Sequence, residues 1–513
     1  MREPHPLDDR LRVFADYRDD FVEQADGVVV GSGPSGALVA HELARAGRRV
    51  ALVEEGPPFT PGEFVRDGNL SMARTMREGG LRSPVGTFMP ILQAIALGGG
   101  SLINSAMCVR PPAFVFDDWC THYELARTTR AELDPHFDAV AAFLGIVPTP
   151  DAVQGRRNLL FRDGCKALGY ASEPCERNVR GCRGSGECFT GCRSRAKQST
   201  DISYVPEAMR HGARVFTSLQ VQRVLAAGRR ATGVEGRVVE PFTGRPSHAF
   251  RIEAKLVVLA AGCMATPVLL QRSGELANAS GQVGQNLQFH PGAAVAGVYA
   301  EPVDPLFGAT QSYQSLQFLR EGFKLETMWS APAALAVRTP GLGAELVRRL
   351  GELDRTVIWD GIASATRSLG TVRARKGTLD PLIRWQLHPD DVAILVRAIH
   401  ELVRIHFAAG ATRVLPGLHG LPEEITRVEQ ADVLARRRFR AGDLVIASSH
   451  VFCTTRMHGD PRRGVVDELG RCHDMDNLYV ADTGVFPRCP SVNPMFTVMA
   501  LAHRQAQALL ERS

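Results

Sequence analysis

A run of valines ending in a glycine turn constrains this chain more than any other feature. Val28-Val29-Val30 leads into Gly31-Ser32-Gly33-Pro34-Ser35-Gly36, and Ser35 to Ala46 follows as a helix closed by Gly47. Arg49 to Val53 then reads as a second strand ending at Glu54. Strand, turn, helix and strand in this order open a parallel sheet. Glycines at 31, 33 and 36 let the chain turn tightly and bring its backbone close to a pyrophosphate, which the helix dipole then stabilises. Glu54 lies eighteen residues beyond Gly36, where a carboxylate accepts hydrogen bonds from ribose hydroxyls and repels a 2′-phosphate. Gly31, Gly33, Ser35, Gly36 and Glu54 are therefore candidate dinucleotide contacts. The turn does not distinguish FAD from NAD.

A length of 513 residues permits two or three domains around a large core. The net charge of +5 is small for that size and argues against nucleic acid or another polyanion as partner. Met1 to Glu23 is charged throughout, so neither a signal peptide nor a membrane span is expected there. Elsewhere no apolar run approaches the roughly 20 residues that a spanning helix needs. A cytoplasmic location is the expectation. The eleven cysteines are mostly scattered, which fits reduced thiols; Cys175, Cys182, Cys188 and Cys192 form the exception.

Two further apolar segments, 255–260 and 478–481, read as strands that extend the parallel sheet. Asn493 to Leu510 reads as a helix with Asn-Pro at its start, and Pro389 to Ala409 as another, closed by Gly410. The expected fold is α/β. A discontinuous Rossmann-like domain comprises 20–115, 195–295 and 442–513. A substrate-binding region of mixed sheet and helices comprises 116–194 and 296–441, including the cysteine loop 175–192.

Five blocks, in order, carry a resemblance to a known family. Leu97-Gly98-Gly99-Gly100-Ser101-x-x-Asn104 is the first after the glycine turn, and Ala261-Gly262-x-x-Ala265-Thr266-Pro267 the next. Gly284-x-Asn286-Leu287-x-x-His290 follows, then His450-x-x-Cys453-Thr454-x-Arg456-Met457, and finally Asn477 to Asp482 with Asn493-Pro494. Together these resemble the glucose-methanol-choline (GMC) oxidoreductases, which implies FAD as cofactor. The resemblance implies that Glu54 binds the adenosine ribose. It implies that Gly99, Gly100, Ser101 and Asn104 line the flavin ring and pyrophosphate, and that Val221 meets adenine through its backbone. Asp482 would approach the ribityl-phosphate region, and Asn493 and Pro494 the pyrimidine side of the isoalloxazine. His450 and Asn493 match the family's catalytic pair. Ile103 stands where a few relatives carry a flavin-linked His, so the FAD is expected to be noncovalent. His290 and His503 read as structural.

The catalytic pair also makes chemical sense from its residue types. Hydride leaves an alcohol carbon once the hydroxyl proton is withdrawn, and a neutral imidazole can accept that proton. An Asn amide can hydrogen-bond the substrate oxygen and orient it. The expected reaction is oxidation of an alcohol to an aldehyde or ketone, with hydride passing to flavin N5 and electrons onward to oxygen or another acceptor. Phe307, Phe318, Met328, Trp329 and Trp359, with no evident anion clamp, suggest an apolar alcohol. Two departures from the family pattern stand near His450: Cys453 replaces a common Gly and is expected to narrow the pocket, and His458 replaces the Gly after Met457. The cysteine loop stays open between packed free thiols, an iron–sulfur cluster and zinc. A dehydrogenase relaying electrons through such a cluster, and a non-redox lyase on the same scaffold, are the rival readings; no metal ligand is assigned.

Overall fold

The computed structural model describes residues 8–304, 307–328, 336 and 339–511. The valine run is the inner end of a longer strand, Phe21–Val30, in which Val28 and Val29 are fully buried. Val50–Val53 pairs with it in parallel on one side and Pro246–Leu259 on the other. The end of that second neighbour, Val257 to Leu259, pairs in parallel with Leu478–Val480. Strands sandwiched in this way are apolar on both faces, which explains why each reads as a continuous hydrophobic run. Earlier in Pro246–Leu259 the partner is Arg230–Val239, antiparallel, followed outward by Leu219–Ala227. Arg214–Phe216 and Leu11–Arg12 extend the other edge. Among the described residues these form one eight-stranded sheet that joins segments from both ends of the chain. Helix Pro34–Arg45 packs on it together with Tyr204–Arg210 and Met495–Glu511.

A second, antiparallel sheet has Gly292–Val298, Thr356–Ala363, Phe323–Met328 and Tyr313–Ser315 at its centre. Helix Pro389–Ala408 covers one of its faces, burying Leu395, Ile399 and Leu402 in a core distinct from that of the first sheet. Among the described residues no helix is long and apolar enough to cross a membrane.

That helix also carries a buried imidazole. His406 stacks on Trp359 with ring centroids 3.8 Å apart, and its nitrogens meet Tyr299 Oη at 3.1 Å and the Val295 carbonyl at 3.2 Å. Gly297 makes room for it, since a Cβ there would lie 2.2 Å from His406 Nδ1. Burial pushes the His406 pKa down from 6.5 to about 3. Between those values the unfolded chain binds a proton that the folded chain refuses, so stability falls as pH drops through this window. The loss is on the order of 4 kcal/mol for a shift of this size. Urea midpoints measured from pH 7 to pH 3 are expected to decline less steeply in His406→Phe; an unchanged slope would assign the acid sensitivity to other groups.

Candidate active site

A cavity of about 920 Å³ opens where the parallel strands end. Val30, Val53 and Ala260 bring the carboxyl ends of three of these strands to its wall, the position at which open α/β sheets receive ligands. Gly292, Ala294, Glu326, Met328, Asp360 and Ile362 of the antiparallel sheet form the opposite wall.

The glycine turn shows why each glycine is needed. A Cβ on Gly31, at φ +105°, would lie 2.2 Å from the Ala260 carbonyl oxygen. One on Gly36 would lie 2.0 Å from the Gly31 carbonyl oxygen. Gly33 faces open space instead, with nothing within 4 Å of an added Cβ, and it starts helix Pro34–Arg45 without a side-chain cap. Uncapped N–H groups at a helix start, where Gly33 leaves the backbone open to approach, suit a pyrophosphate. Gly99 presses against this turn, since its Cβ would come within 2.7 Å of Gly33 Cα, and Gly100 again faces open space.

Glu54 is buried at the cavity edge. Its Oε2 accepts from Ser32 N (3.0 Å) and Ser32 Oγ (2.6 Å), and its Oε1 from Gly56 N (2.8 Å). Burial pushes its pKa up, against the pull of these bonds. A carboxylate has about four acceptor positions, so one remains toward the cavity. Asp482 is held in the same manner: its oxygens accept from Gly262 N, Thr266 Oγ1 and Gly484 N at 3.1, 2.5 and 2.8 Å. Burial raises its pKa to about 6. Ser35 donates from its hydroxyl to the Ala481 carbonyl, tying the first turn to the C-terminal strand.

Gly31, Gly33, Ser35, Glu54, Gly99, Gly100, Asn104, Val221, Asp482, Asn493, Pro494 and His450 all reach this one cavity, as does Ile103. Gly36 and Ser101 stand behind the wall. Ser101 Oγ donates to the Gly98 carbonyl (2.6 Å) and accepts from Thr200 N (3.0 Å), holding the glycine loop from the rear.

His450 and Asn493 have partners that the motifs did not reveal. His450 Nδ1 meets His290 Nδ1 at 3.2 Å, and His290 Nε2 meets Cys489 Sγ at 2.6 Å. Burial lowers the His450 pKa to about 4 and holds that of His290 well below 6.5, so both rings are neutral at pH 7. Asn493 Oδ1 accepts from Lys324 Nζ at 2.6 Å. Lys324 is fully buried, also donates to Gln314 Oε1 (2.9 Å) and forms an ion pair with Glu326 Oε2 (2.8 Å). His290, taken as structural, thus stands in direct contact with His450. The Gly284-to-His290 block held the available signal; nothing marked Lys324 or Glu326.

Two expectations about the pocket change. Cys453 does not narrow it: the residue is buried in the core of the first sheet, and its φ of +77° explains why a glycine suits this position. Of the five residues offered as an apolar lining, Met328 reaches the wall. Phe318 stacks on Phe323, Trp359 on His406, and Phe307 is 41% exposed, whereas Trp329 lies outside the described residues.

In the cysteine loop the sulfurs are organised around cations. Arg177 Nη2 lies 3.1 Å from Cys188 Sγ and its Nη1 4.0 Å from Cys182 Sγ, while the Lys197 amide donates to Cys192 Sγ at 3.5 Å. Burial opposes ionisation of Cys188, but Arg177 and Lys197 outweigh it and hold that thiol below its ordinary pKa. Cys175 belongs to a separate apolar cluster with Met107, Leu319 and Val492. Among the described residues no three His, Cys, Asp or Glu side chains are grouped to hold a metal, so the donor set fits neither an iron–sulfur cluster nor zinc.

Comparison with known proteins agrees with this architecture. Residues 72–292 and 366–502 match the GMC oxidoreductase family, and residues 26–97 match the FAD binding domain. An uncharacterised GMC-type oxidoreductase of Mycobacterium tuberculosis is 34% identical over 498 residues, covering 96% of this chain and 77% of that one. A long-chain-alcohol oxidase of Arabidopsis thaliana is 26% identical over 527 residues, covering 96% and 69%. The solved structure of pyridoxine 4-oxidase from Mesorbium loti superposes with a TM-score of 0.68 at 21% identity over 94% of this chain and 98% of that one, a likeness of fold. The chain belongs to the GMC oxidoreductase family, as an FAD-dependent enzyme acting on CH–OH groups.

Proposed function

We propose that this enzyme oxidises an alcohol to an aldehyde or ketone with His450 as the base and Asn493 as the partner that orients the substrate oxygen. The observation that carries the reading is that both residues open onto the cavity that also receives the glycine turn and Glu54. Bound FAD supplies the hydride acceptor. The N-terminal turn from Gly31 to Gly36 holds the pyrophosphate, Glu54 the adenosine ribose and Val221 the adenine. Gly99 to Asn104, Asp482 and Pro494 enclose the remainder of the cofactor. Segments 20–115, 195–295 and 442–513 carry that site, and 116–194 with 296–441 shape the substrate side.

The His450 side chain acts through its tautomer. With Nδ1 engaged by His290, Nε2 is the ring nitrogen left for the substrate. A base needs its lone pair there, so His450 carries its proton on Nδ1 and donates it to His290 Nδ1. His290 then carries its own proton on Nε2, directed at the Cys489 sulfur. Burial raises the Cys489 pKa to about 12, so that sulfur stays a thiol and a weak acceptor. In this arrangement the chain of contacts supports the imidazole in the state that takes a hydroxyl proton, with His290 as its orienting partner. Asn493 adds a hydrogen bond to the same oxygen and sets the C–H bond toward the acceptor.

An anaerobic visible titration of the purified protein with a panel of 1-butanol, 1-dodecanol, benzyl alcohol and pyridoxine tests this. Bleaching of the flavin bands by at least one alcohol is expected, with the colour released from the protein by acid because Ile103 offers no linkage. A yellow protein that no alcohol bleaches would favour non-redox chemistry, and restoration of the spectrum on admitting air would identify oxygen as a competent acceptor.

A further inference from the structure

We propose that Lys324 is a positioning residue that fixes which end of the Asn493 amide meets the substrate; the inference rests on the reading of Asn493 given above. A lysine ammonium has three donors and no acceptor. Here two of them are used on Gln314 Oε1 and Asn493 Oδ1 at 2.9 and 2.6 Å, and the ammonium forms an ion pair with Glu326 Oε2 at 2.8 Å. Because Lys324 can only donate, the atom it holds on Asn493 is the carbonyl oxygen. Nδ2 is thereby turned away from Lys324 and offered as a donor to the cavity that Asn493 lines.

An unrestrained Asn can rotate its amide by half a turn and present oxygen instead. In this site such a rotation would set Nδ2–H against an ammonium and forfeit a charge-assisted bond. The orientation matters for the chemistry. As the hydroxyl proton moves to His450 Nε2, the substrate oxygen gains negative charge, and a donor stabilises that charge whereas a carbonyl opposes it. Glu326 has a distinct part in this arrangement. Its carboxylate, held by Gln311 Nε2 at 2.6 Å, lies 2.8 Å from the buried Lys324 Nζ as its counter-ion. The alternation along Phe323–Met328 places Lys324, Glu326 and Met328 on the same face of the strand, and Glu326 and Met328 line the cavity.

The test is a double-mutant cycle on native enzyme, Lys324→Met, Asn493→Ala and the double variant. Each is reduced anaerobically with the panel alcohol that bleaches the native flavin fastest. Lys324→Met is expected to slow reduction by about 10- to 100-fold, the range for losing a hydrogen bond to a charged group, with the flavin spectrum retained. In the Asn493→Ala background the same substitution should change the rate by less than about 2-fold, since the amide it orients is gone. Equal effects in both backgrounds would overturn the positioning role and make Lys324 merely structural. A native rate in Asn493→Ala would instead overturn the reading of Asn493 itself. Urea unfolding of the same four proteins gives a cycle that needs no substrate. The unfolding constants should show a coupling of about 10-fold between the two sites, and its absence would overturn the proposal whatever the panel gives. Where Lys324→Met alone leaves Glu326 too exposed to fold, the charge-balanced pair Lys324→Met/Glu326→Gln takes its place in both cycles.

Discussion

His450→Ala is expected to slow flavin reduction by about 10²- to 10⁴-fold, the usual contribution of a general base, while the protein keeps its yellow colour. The imidazole is bonded to His290 and opens on the cavity, so its removal leaves the glycine turn, Glu54 and Asp482 untouched. The pH dependence supplies an independent check. Burial lowers the His450 pKa from 6.5 to about 4, which favours the neutral, proton-accepting form. The rate should therefore rise with pH through one ionisation near 4 and stay flat from pH 6 to pH 8; activity is lost only as the imidazole charges at lower pH. Asn493→Ala should also slow reduction and leave this midpoint in place, because the amide does not titrate. A native rate in His450→Ala would move the base elsewhere. A midpoint close to 6.5 would mean that burial does not hold the ring in its neutral form.

Stopped-flow measurement of the His290→Gln variant extends the same argument. Glutamine keeps a side-chain acceptor but cannot pass the tautomer constraint on to Cys489, so reduction should slow by less than in His450→Ala while the FAD spectrum is unchanged. A His290→Gln enzyme as slow as His450→Ala would mean that the two rings act as one unit.

The parts of this protein that could be read from its sequence are those whose cause is local. The turn from Gly31 to Gly36 is legible because Gly31 and Gly36 answer contacts within a few residues or at the end of the adjacent strand, while Gly33 opens the helix start. Val28 to Val30, Val50 to Val53 and Leu478 to Val480 are legible because burial on both faces leaves an unbroken apolar run. Strand ends were less so. Phe21–Val30 begins six residues before Gly27, and Pro246–Leu259 nine residues before Lys255, since their outer halves are partly exposed and break the continuous apolar run. Their pairing with each other depends on a partner more than two hundred residues away.

The buried polar network shows a harder limit. Phe323-Lys324-Leu325-Glu326 alternates apolar and polar residues, the pattern of a strand with one face in water. Phe323 through Thr327 are buried, because the polar face is turned inward toward the cavity and carries its own ion pair. Periodicity reports that two faces differ and is silent about what covers each. His450 and Asn493 stand out in the sequence through position within matched blocks, whereas their contacts with His290, which reaches on to Cys489, and with Lys324 are made between distant segments. The apolar residues singled out between 295 and 440 illustrate the converse: Trp359 and Phe318 are large and apolar because they fill the core beneath the sheet, with no part in the cavity.

Glu54→Ala is expected to weaken FAD binding by about 10²-fold, and the reason lies in what the carboxylate already holds. Three of its acceptor positions serve Ser32 N, Ser32 Oγ and Gly56 N. Ser32 sits inside the glycine turn, and its hydroxyl oxygen accepts from Gly98 N at 2.9 Å, so Glu54 reaches through Ser32 to the second glycine loop. Removing the carboxylate deletes the position left for a ribose hydroxyl and leaves buried N–H groups without an acceptor on both sides of the turn. A hydrogen bond to a charged group contributes about 1.5–3 kcal/mol, and 1.4 kcal/mol is about tenfold in affinity. One such bond to the ribose gives about 10- to 100-fold, and loosening of the turn carries the loss toward the upper figure. Glu54→Gln separates the two contributions: its amide oxygen can satisfy one backbone donor, but its NH₂ meets the other, so affinity should fall between native and Glu54→Ala. Fluorescence titration of the apoprotein with FAD measures all three. Equal affinity in native and Glu54→Ala enzymes would show that the ribose is bound elsewhere and that the turn keeps its shape without this carboxylate.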